Sequence, residues 1–197
     1  MPRVGRIRMR TTARVLAAFG VSVLVAVGGI SISGVAGRDA GATGDGLTRA
    51  QADEVVRAHN AWRGRARVPP LRWAEDLAAR AQARAAYLAG HGCDIVHGPL
   101  PVDVGENLCW VGSVRAVGHK DELDAVTPTW VIDKWGAESA DYSAEHGTCA
   151  PNRQCGHYTQ IVWATSVEVG CGMAVCPTLD QVWVCNYRPR GNVRGLR

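Results

Sequence analysis

Apolar residues between positions 48 and 89 recur with the period of an amphipathic helix. Thr48 followed by Gln51 fits a capping box, so a helix is predicted over residues 48–66. One stripe of this helix is expected to face the core, and it consists of Val55, Val56, His59, Trp62 and Arg63. Pro69 and Pro70 end the segment.

A second helix is predicted from about Trp73 to Ala89, because its apolar residues share one face. That face carries Trp73, Leu77, Ala81, Ala85 and Leu88. The opposite face carries Glu75, Arg80 and Arg84, which we interpret as an ordinary solvated surface.

Strand-like patterns dominate the last quarter of the chain. Strands are predicted over residues 157–164, 167–175 and 181–187, and a hairpin at residues 177–180 joins the last two. Thr127 and Pro128 predict one short helix before these strands, whereas residues 93–126 show no regular pattern. Helices followed by an antiparallel sheet indicate an α+β fold with layered packing.

The N-terminal segment has the composition of an export signal. Five arginines precede an uncharged apolar run over residues 15–37 that closes on small residues. Residues 1–37 are therefore predicted to be a signal peptide, or an N-terminal membrane anchor if they stay uncleaved, since the run is longer than most signal peptides need. Residues 38–47 are predicted to be a flexible linker. The remainder is then secreted and extracellular, and membrane contact is expected only through an uncleaved N-terminal segment.

The formal net charge of +4 originates in the same segment. Residues 1–40 contain six of the 22 basic and one of the 18 acidic side chains, which leaves 16 basic and 17 acidic side chains in residues 41–197. The remainder thus carries a net charge of −1, and nothing in it concentrates positive charge. No nucleic-acid partner is expected.

Seven cysteines in an exported chain indicate disulfides rather than free thiols. Their odd number leaves one cysteine over, and six cysteines allow about 15 pairings, among which the sequence alone does not choose. The paired C-x-x-C pattern of a structural zinc site does not occur in the sequence.

Seven segments occur in an order and at a spacing that match a known family. They are AHNAWR (58–63), PLRWAEDLAARAQARA (70–85), CDIVHG (93–98), GENLCW (105–110), WGAE (135–138), CGHYTQIVWATSVEVGCGMAVC (155–176) and VCNYRPRGN (184–192). The last two are similar to the defining motifs of the CAP superfamily, which comprises cysteine-rich secretory proteins, antigen 5 and pathogenesis-related one proteins. The resemblance covers about residues 49–192, so a CAP domain is expected at 48–192, with a C-terminal tail at 193–197.

The resemblance implies a three-layer α-β-α sandwich with a central antiparallel sheet, disulfide braces and a cleft. In the family two His and two acidic residues converge in that cleft, and the matching positions are His97, Glu106, Glu138 and His157. His97 and His157 are expected to hold zinc or another divalent cation weakly, with the carboxylates fixing the ring tautomers. The alternative for these four side chains is a mutually satisfied polar network. Gly98 stands where the family often has Ser after the first histidine.

The resemblance also implies three disulfides, namely Cys93–Cys176, Cys149–Cys155 and Cys171–Cys185. Cys109 is then unpaired, and we interpret it as a small buried hydrophobic residue, with an intermolecular bridge as the alternative. His59 lies on the apolar stripe of the first helix and is interpreted as a packed structural ring rather than a ligand.

Three functions remain open from the sequence. The first is a secreted, monomeric CAP-domain protein that binds a lipid, a sterol or an extracellular protein, with the metal-capable cleft modulating the binding. The second is a metal-assisted hydrolase or protease that uses Glu106 or Glu138 as its base. The third is a disulfide-braced, non-catalytic scaffold in defence or host interaction. We assign no catalytic residue, because the sequence shows no pairing of a nucleophile with a base.

Overall fold

The computed structural model describes residues 46–114, 122, 124–193 and 195. The predicted export segment and residues 38–45 of the predicted linker lie outside the described residues. Among the described residues, no helix combines the length and the apolar character that crossing a membrane requires.

Helix α1 (Arg49–Ala66) begins and ends at residues that satisfy its free backbone groups. The hydroxyl of Thr48 accepts a hydrogen bond from the backbone N–H of Gln51, whose side-chain oxygen accepts one from the backbone N–H of Thr48 at 2.9 Å. The helix ends at Arg67, which adopts a left-handed conformation with φ of 59°. The predicted helix and its capping box are confirmed.

Helix α2 (Glu75–Gly90) buries its predicted apolar face, including Leu77, Ala81, Ala85 and Leu88. The prediction for its opposite face is wrong at two positions. Arg80 and Arg84 are half-buried, and they donate hydrogen bonds to the carbonyls of Pro99 and Val96. Helical periodicity identifies the face that meets the sheet, but it does not indicate that the segment after the helix folds back over the outer face.

The described residues contain six strands, which in chain order are β1 (Arg72–Trp73), β2 (Gly105–Val111), β3 (Tyr142–Ser143), β4 (Thr148–Cys149), β5 (Glu168–Val175) and β6 (Gln181–Arg188). Four of them form a sheet in the order β1-β5-β6-β2, in which only the short β1–β5 pair is parallel. β5 and β6 match two of the predicted strands. β2 was not predicted, because glycines and prolines punctuate the segment around it.

Residues of β6 alternate between two cores, one on each face of the sheet. Trp183, Cys185 and Tyr187 pack with α1 and with the helix before the last strands, α3 (Pro128–Gly136). Val182 and Val184 point the other way and pack with α2. This alternation gives the α-β-α sandwich its three layers, and the expected fold class is confirmed.

Helix α2 lies directly against the backbone of β5, and two glycines permit this close approach. A Cβ atom at Gly170 would lie 2.2 Å from the backbone nitrogen of Ala78, and one at Gly172 would lie 2.4 Å from the Cα of Gln82. The side chain of Gln82 exchanges two hydrogen bonds, each of 3.0 Å, with the backbone of Met173. Gln82 therefore pairs with part of β5 that β1 is too short to reach.

Three disulfides brace these layers, and they join the same cysteines that the family resemblance implies. Cys93–Cys176 connects the segment after α2 to the β5–β6 turn. Cys149–Cys155 closes the loop between β4 and residue 156. Cys171–Cys185 links facing residues of β5 and β6.

The strand predicted at residues 157–164 is wrong, because this segment forms helix α4 (Gly156–Ile161). A run of eight residues is too short for its periodicity to separate a strand from a helix. Long-range contacts decide the conformation here: the carboxylate of Glu138 accepts hydrogen bonds from the backbone N–H groups of His157 and Tyr158 in the first turn.

Candidate functional site

A cleft of about 310 Å³ opens between the start of α4, strand β2 and the segment before β2. Three of the four side chains implied by the resemblance line it, namely His97, Glu106 and His157. The fourth, Glu138, contacts His157 through hydrogen bonds and is not among the residues that line the cleft. The fold thus brings together four side chains that are dispersed in the sequence.

Glu138 lies in the 3-10 turn Ala137–Asp141 that directly follows α3. Its Oε1 lies 2.6 Å from Nδ1 of His157, and its Oε2 accepts the backbone N–H of His157 at 2.9 Å. The ring of His157 also stacks on Trp135, with 5.9 Å between ring centroids and 21° between ring planes. These contacts fix both the position and the tautomer of the imidazole, since a carboxylate partner favours a proton on Nδ1.

His97 forms the second histidine–carboxylate pair, in a more exposed setting. Its Nδ1 lies 3.0 Å from Oε1 of Glu106, and its side chain is 63% exposed, whereas the Glu106 side chain is 1% exposed. Oε2 of Glu106 is buried and has no hydrogen-bond partner among the described residues. The pair therefore combines an accessible imidazole with a buried carboxylate that retains one free acceptor.

The donor set of the cleft fits a divalent cation such as Zn²⁺. Each imidazole directs Nδ1 to a carboxylate, which leaves Nε2 with its lone pair for a ligand. Within the described part of the chain, no group of three or more His, Cys, Asp or Glu side chains forms a ready-made metal site. A cation held by His97 and His157 would thus keep exchangeable positions, which is the character of an open site.

A buried hydrogen-bond network connects the interior of α1 to the cleft. Nδ1 of His59 lies 2.8 Å from the carbonyl of Val55, so it carries the proton, and Nε2 accepts from the Tyr187 hydroxyl at 2.9 Å. Asn107 donates to that hydroxyl at 3.2 Å and to the carbonyl of His157 at 3.1 Å. Burial lowers the pKa of His59 to about 4 and raises the pKa of Tyr187. His59 is a packed structural ring, as predicted.

Arg63, also on the predicted stripe, is fully buried and holds the segment that carries α4. Its guanidinium donates to the carbonyls of Pro69, Ile161, Trp163 and Ser166 at 2.5 to 2.9 Å. The sequence shows the position of Arg63 on an apolar stripe but not these acceptors.

Cys109 is the one cysteine outside the three disulfides. It is partly buried, packs against the core beneath α1 and α3, and the burial raises the pKa of its thiol to about 11. This environment agrees with the interpretation of Cys109 as a small hydrophobic residue.

Sequence reasoning missed several residues of the cleft wall. Asn107, Gln154 and Asn192 line it beside the histidines. Asn107 directly follows Glu106 and pairs with Cys185 of β6. A sequence pattern that predicted strand β2 would therefore have placed Asn107 near the cleft. Asn192 comes from the chain end after β6 and donates to the carbonyl of Gly156 at 2.8 Å.

Comparisons with known proteins agree with this architecture. The model of the cysteine-rich secretory protein family, CAP, matches residues 56–187. A pathogenesis-related protein of the PR-1 type from Sambucus nigra is 39% identical over 144 residues, which cover 73% of this chain and 79% of that protein.

Two solved structures share the fold at low sequence identity. The venom allergen-like protein 4 of Schistosoma mansoni has a TM-score of 0.55 and 23% identity, over 74% of this chain and 92% of its own. The structure of NaASP2 with Zn²⁺ has a TM-score of 0.57 and 20% identity, over 78% of this chain and 86% of its own. With a matching family model and PR-1 proteins as relatives, this chain belongs to the CAP family of cysteine-rich secretory proteins.

Proposed function

We propose that this chain is an extracellular, monomeric CAP-domain protein that acts by binding a ligand. We further propose that its cleft holds a divalent cation, with Zn²⁺ as the first candidate. The observation that carries the proposal is that His97 and His157 line one cleft, each with Nδ1 directed to a carboxylate. Two such imidazoles offer two neutral nitrogen ligands and leave the remaining positions to water or to a ligand.

Glu106 and Glu138 have different roles in this proposal. Glu138 engages both oxygens, with the ring of His157 and with two backbone N–H groups, so it acts as a positioning residue. Glu106 engages one oxygen with His97 and keeps the other free. The bound cation would supply a positive charge and exchangeable positions at the mouth of the cleft.

Calorimetric titration of the metal-free protein with Zn²⁺ tests the cation site. We expect saturable binding that is lost in the double variant His97→Ala, His157→Ala and retained in His91→Ala, which removes an exposed histidine outside the cleft. Zinc binding by the double variant would contradict the assignment of His97 and His157 as the ligands of the cation. No zinc binding in the unmodified protein would contradict it as well, and ligand binding without a cation or a disulfide-braced scaffold would remain.

The ligand class follows from the family resemblance, and it is a lipid, a sterol or an extracellular protein. The three disulfides support an oxidising, extracellular setting. Mass spectrometry of the native protein from culture medium would report cleavage of the N-terminal segment, bound metal and any co-purifying lipid in one measurement. A protein that stays with the cells at full length would contradict secretion.

Metal-assisted hydrolysis is the second candidate, and the free Oε2 of Glu106 is the observation that favours it. In that case Glu106 would act as the base for a water on the cation. Turnover of an ester or peptide panel that disappears both on chelation and in Glu106→Gln would support hydrolysis. No turnover with zinc present would leave binding as the function.

A further inference from the structure

A second cavity of about 430 Å³ lies beside the cleft and shares Glu106 with it. It opens between the outer face of α2 and the segment that follows this helix, within the size range of small-molecule sites, roughly 300–1,000 Å³. We call it the arginine pocket, after Arg80 and Arg84 on its α2 wall. Apolar groups of Ala83, Tyr87 and Leu100 complete much of its lining.

Two residues that line the arginine pocket each carry a buried acceptor oxygen. Glu106 of β2 and Asn186 of β6 face each other in the antiparallel register. Oε2 of Glu106 and Oδ1 of Asn186 are both buried and form no hydrogen bond within the described ranges. The Glu106 side chain is 1% exposed and Asn186 is 0% exposed, so bulk water does not satisfy these oxygens. Buried polar atoms rarely lack a partner, and these two require hydrogen-bond donors.

Two buried donors line the same cavity, also without partners. The Nε atoms of Arg80 and Arg84 are buried and have no hydrogen-bond partner in the described part of the chain, whereas one terminal nitrogen of each guanidinium donates to a carbonyl of the covering segment. Neither arginine forms an ion pair with any residue in the described ranges. The pocket therefore presents two positive charges that require an acceptor, opposite two oxygens that require donors.

We propose that the arginine pocket binds a sugar acid, a carboxylate of monosaccharide size that carries hydroxyls on neighbouring carbons. Its carboxylate accepts from Arg80 and Arg84, and its hydroxyls donate to the free oxygens of Glu106 and Asn186. An inorganic anion such as sulfate carries no donor for those oxygens, and a simple cation would be repelled by the arginines. Hydroxyls on neighbouring carbons present donors at separate positions, whereas the three donors of an amino acid's ammonium share one nitrogen.

Gly98 leaves room for the guanidinium of Arg84 at the wall of the pocket. A Cβ atom at position 98 would lie 2.8 Å from Cζ and 3.0 Å from a terminal nitrogen of Arg84. Any larger residue therefore displaces this guanidinium, which is the far end of a flexible side chain, and the fold need not change. Gly98→Ser is thus expected to displace one positive charge from the pocket wall and to leave the helix intact.

Nitrogen–proton NMR titrations of the protein in EDTA provide the test, with D-glucuronate and D-galacturonate as probes and D-glucose, D-galactose and L-serine as comparisons. We expect saturable shifts in β2, α2 and residues 96–100 with at least one sugar acid and none with the neutral sugars. Arg84→Gln and Gly98→Ser should each weaken binding at least tenfold, the effect of losing a charge-assisted hydrogen bond. Arg57→Gln, which makes the same charge change on exposed α1, should leave binding unchanged.

Four outcomes would overturn the proposal. They are binding of neither sugar acid, equal binding of the neutral sugars, binding of L-serine alone, and an equal loss of affinity in Arg57→Gln and Arg84→Gln. The test is separable from that of the cation site, because it is performed without metal and neither Arg84→Gln nor Gly98→Ser changes a histidine. Variants of Glu106 would not separate the two tests, because Glu106 lines both the cleft and the arginine pocket.

Discussion

Glu138 binds His157 twice, through the ring Nδ1 at 2.6 Å and through the backbone N–H at 2.9 Å. One carboxylate thereby fixes the tautomer of a cleft imidazole and also accepts a free N–H in the first turn of α4. The orientation of the ring and the start of the helix are consequently coupled through one side chain.

The first prediction concerns this coupling. Glu138→Gln removes the negative charge and one of the two acceptor oxygens. We expect zinc affinity to fall 10- to 100-fold, as for other residues that support a metal ligand, and the free energy of unfolding to fall by about 2 kcal/mol. Calorimetric zinc titration and urea denaturation of the metal-free protein measure the two effects.

Glu145→Gln is the matched control, since Glu145 is exposed on the loop after β3. It makes the same chemical change and should leave the zinc affinity and the free energy of unfolding equal, within error, to those of the unmodified protein. If Glu138→Gln lowers stability but leaves zinc affinity unchanged, Glu138 supports the helix alone.

The second prediction concerns the acid stability of the domain. The pKa of His59 is about 4 in the folded protein because of burial, against an ordinary value of 6.5. Between these two pH values, unfolding is accompanied by the uptake of a proton by His59. The contribution of neutral His59 to the free energy of unfolding is therefore complete above about pH 6.5 and is lost as the pH falls towards 4. The loss amounts to about 3 kcal/mol. Urea denaturation between pH 7 and pH 4 measures it.

His59→Gln tests the assignment, because a glutamine does not titrate. Its unfolding free energy should depend less steeply on pH between 6.5 and 4.5 than that of the unmodified protein. Below about pH 4.5, carboxylates with a lowered pKa, such as Glu168, add their own dependence. Should the variant not fold, the ring resonances of His59 in the unmodified protein report the same group. A ring that titrates near pH 6.5 would contradict the prediction.

The third prediction concerns Arg63. A lysine at this position cannot reach four carbonyls with the fork geometry of a guanidinium, so several buried acceptors would lose their donors. Arg63→Lys is expected to lower the free energy of unfolding by about 3 kcal/mol or more. Chemical denaturation measures this, with Arg57→Lys on the exposed face of α1 as the matched control. Equal stabilities of the two variants would contradict the role of Arg63.

The sequence predicted the helices of this fold better than its cleft. α1 and α2 follow from long amphipathic patterns and from caps such as Thr48, which are local signals. α4 is six residues long, and its conformation depends on Glu138, eighteen positions before its first residue. A short segment whose backbone donors are satisfied by a distant side chain has no local pattern that reveals it.

The site shows the same division between local and long-range information. His97, Glu106, Glu138 and His157 were located through motifs of a known family, since their spacing carries no metal-binding pattern. The arginine pocket was missed because Arg80 and Arg84 lie on the polar face of an amphipathic helix. Such a face is normally solvated, and only the segment that folds over it changes the environment of the two arginines.

The last prediction separates the two interpretations of Cys109. Because burial raises its thiol pKa to about 11, only a small fraction is thiolate at pH 8, and the thiolate is the reactive form. Alkylation by iodoacetamide at pH 8 should therefore be about a hundredfold slower in the native protein than in urea, as followed by intact mass. Cys109→Ala should stay monomeric and fold normally. A disulfide-linked dimer on a non-reducing gel that disappears in Cys109→Ala would instead establish Cys109 as the site of an intermolecular bridge.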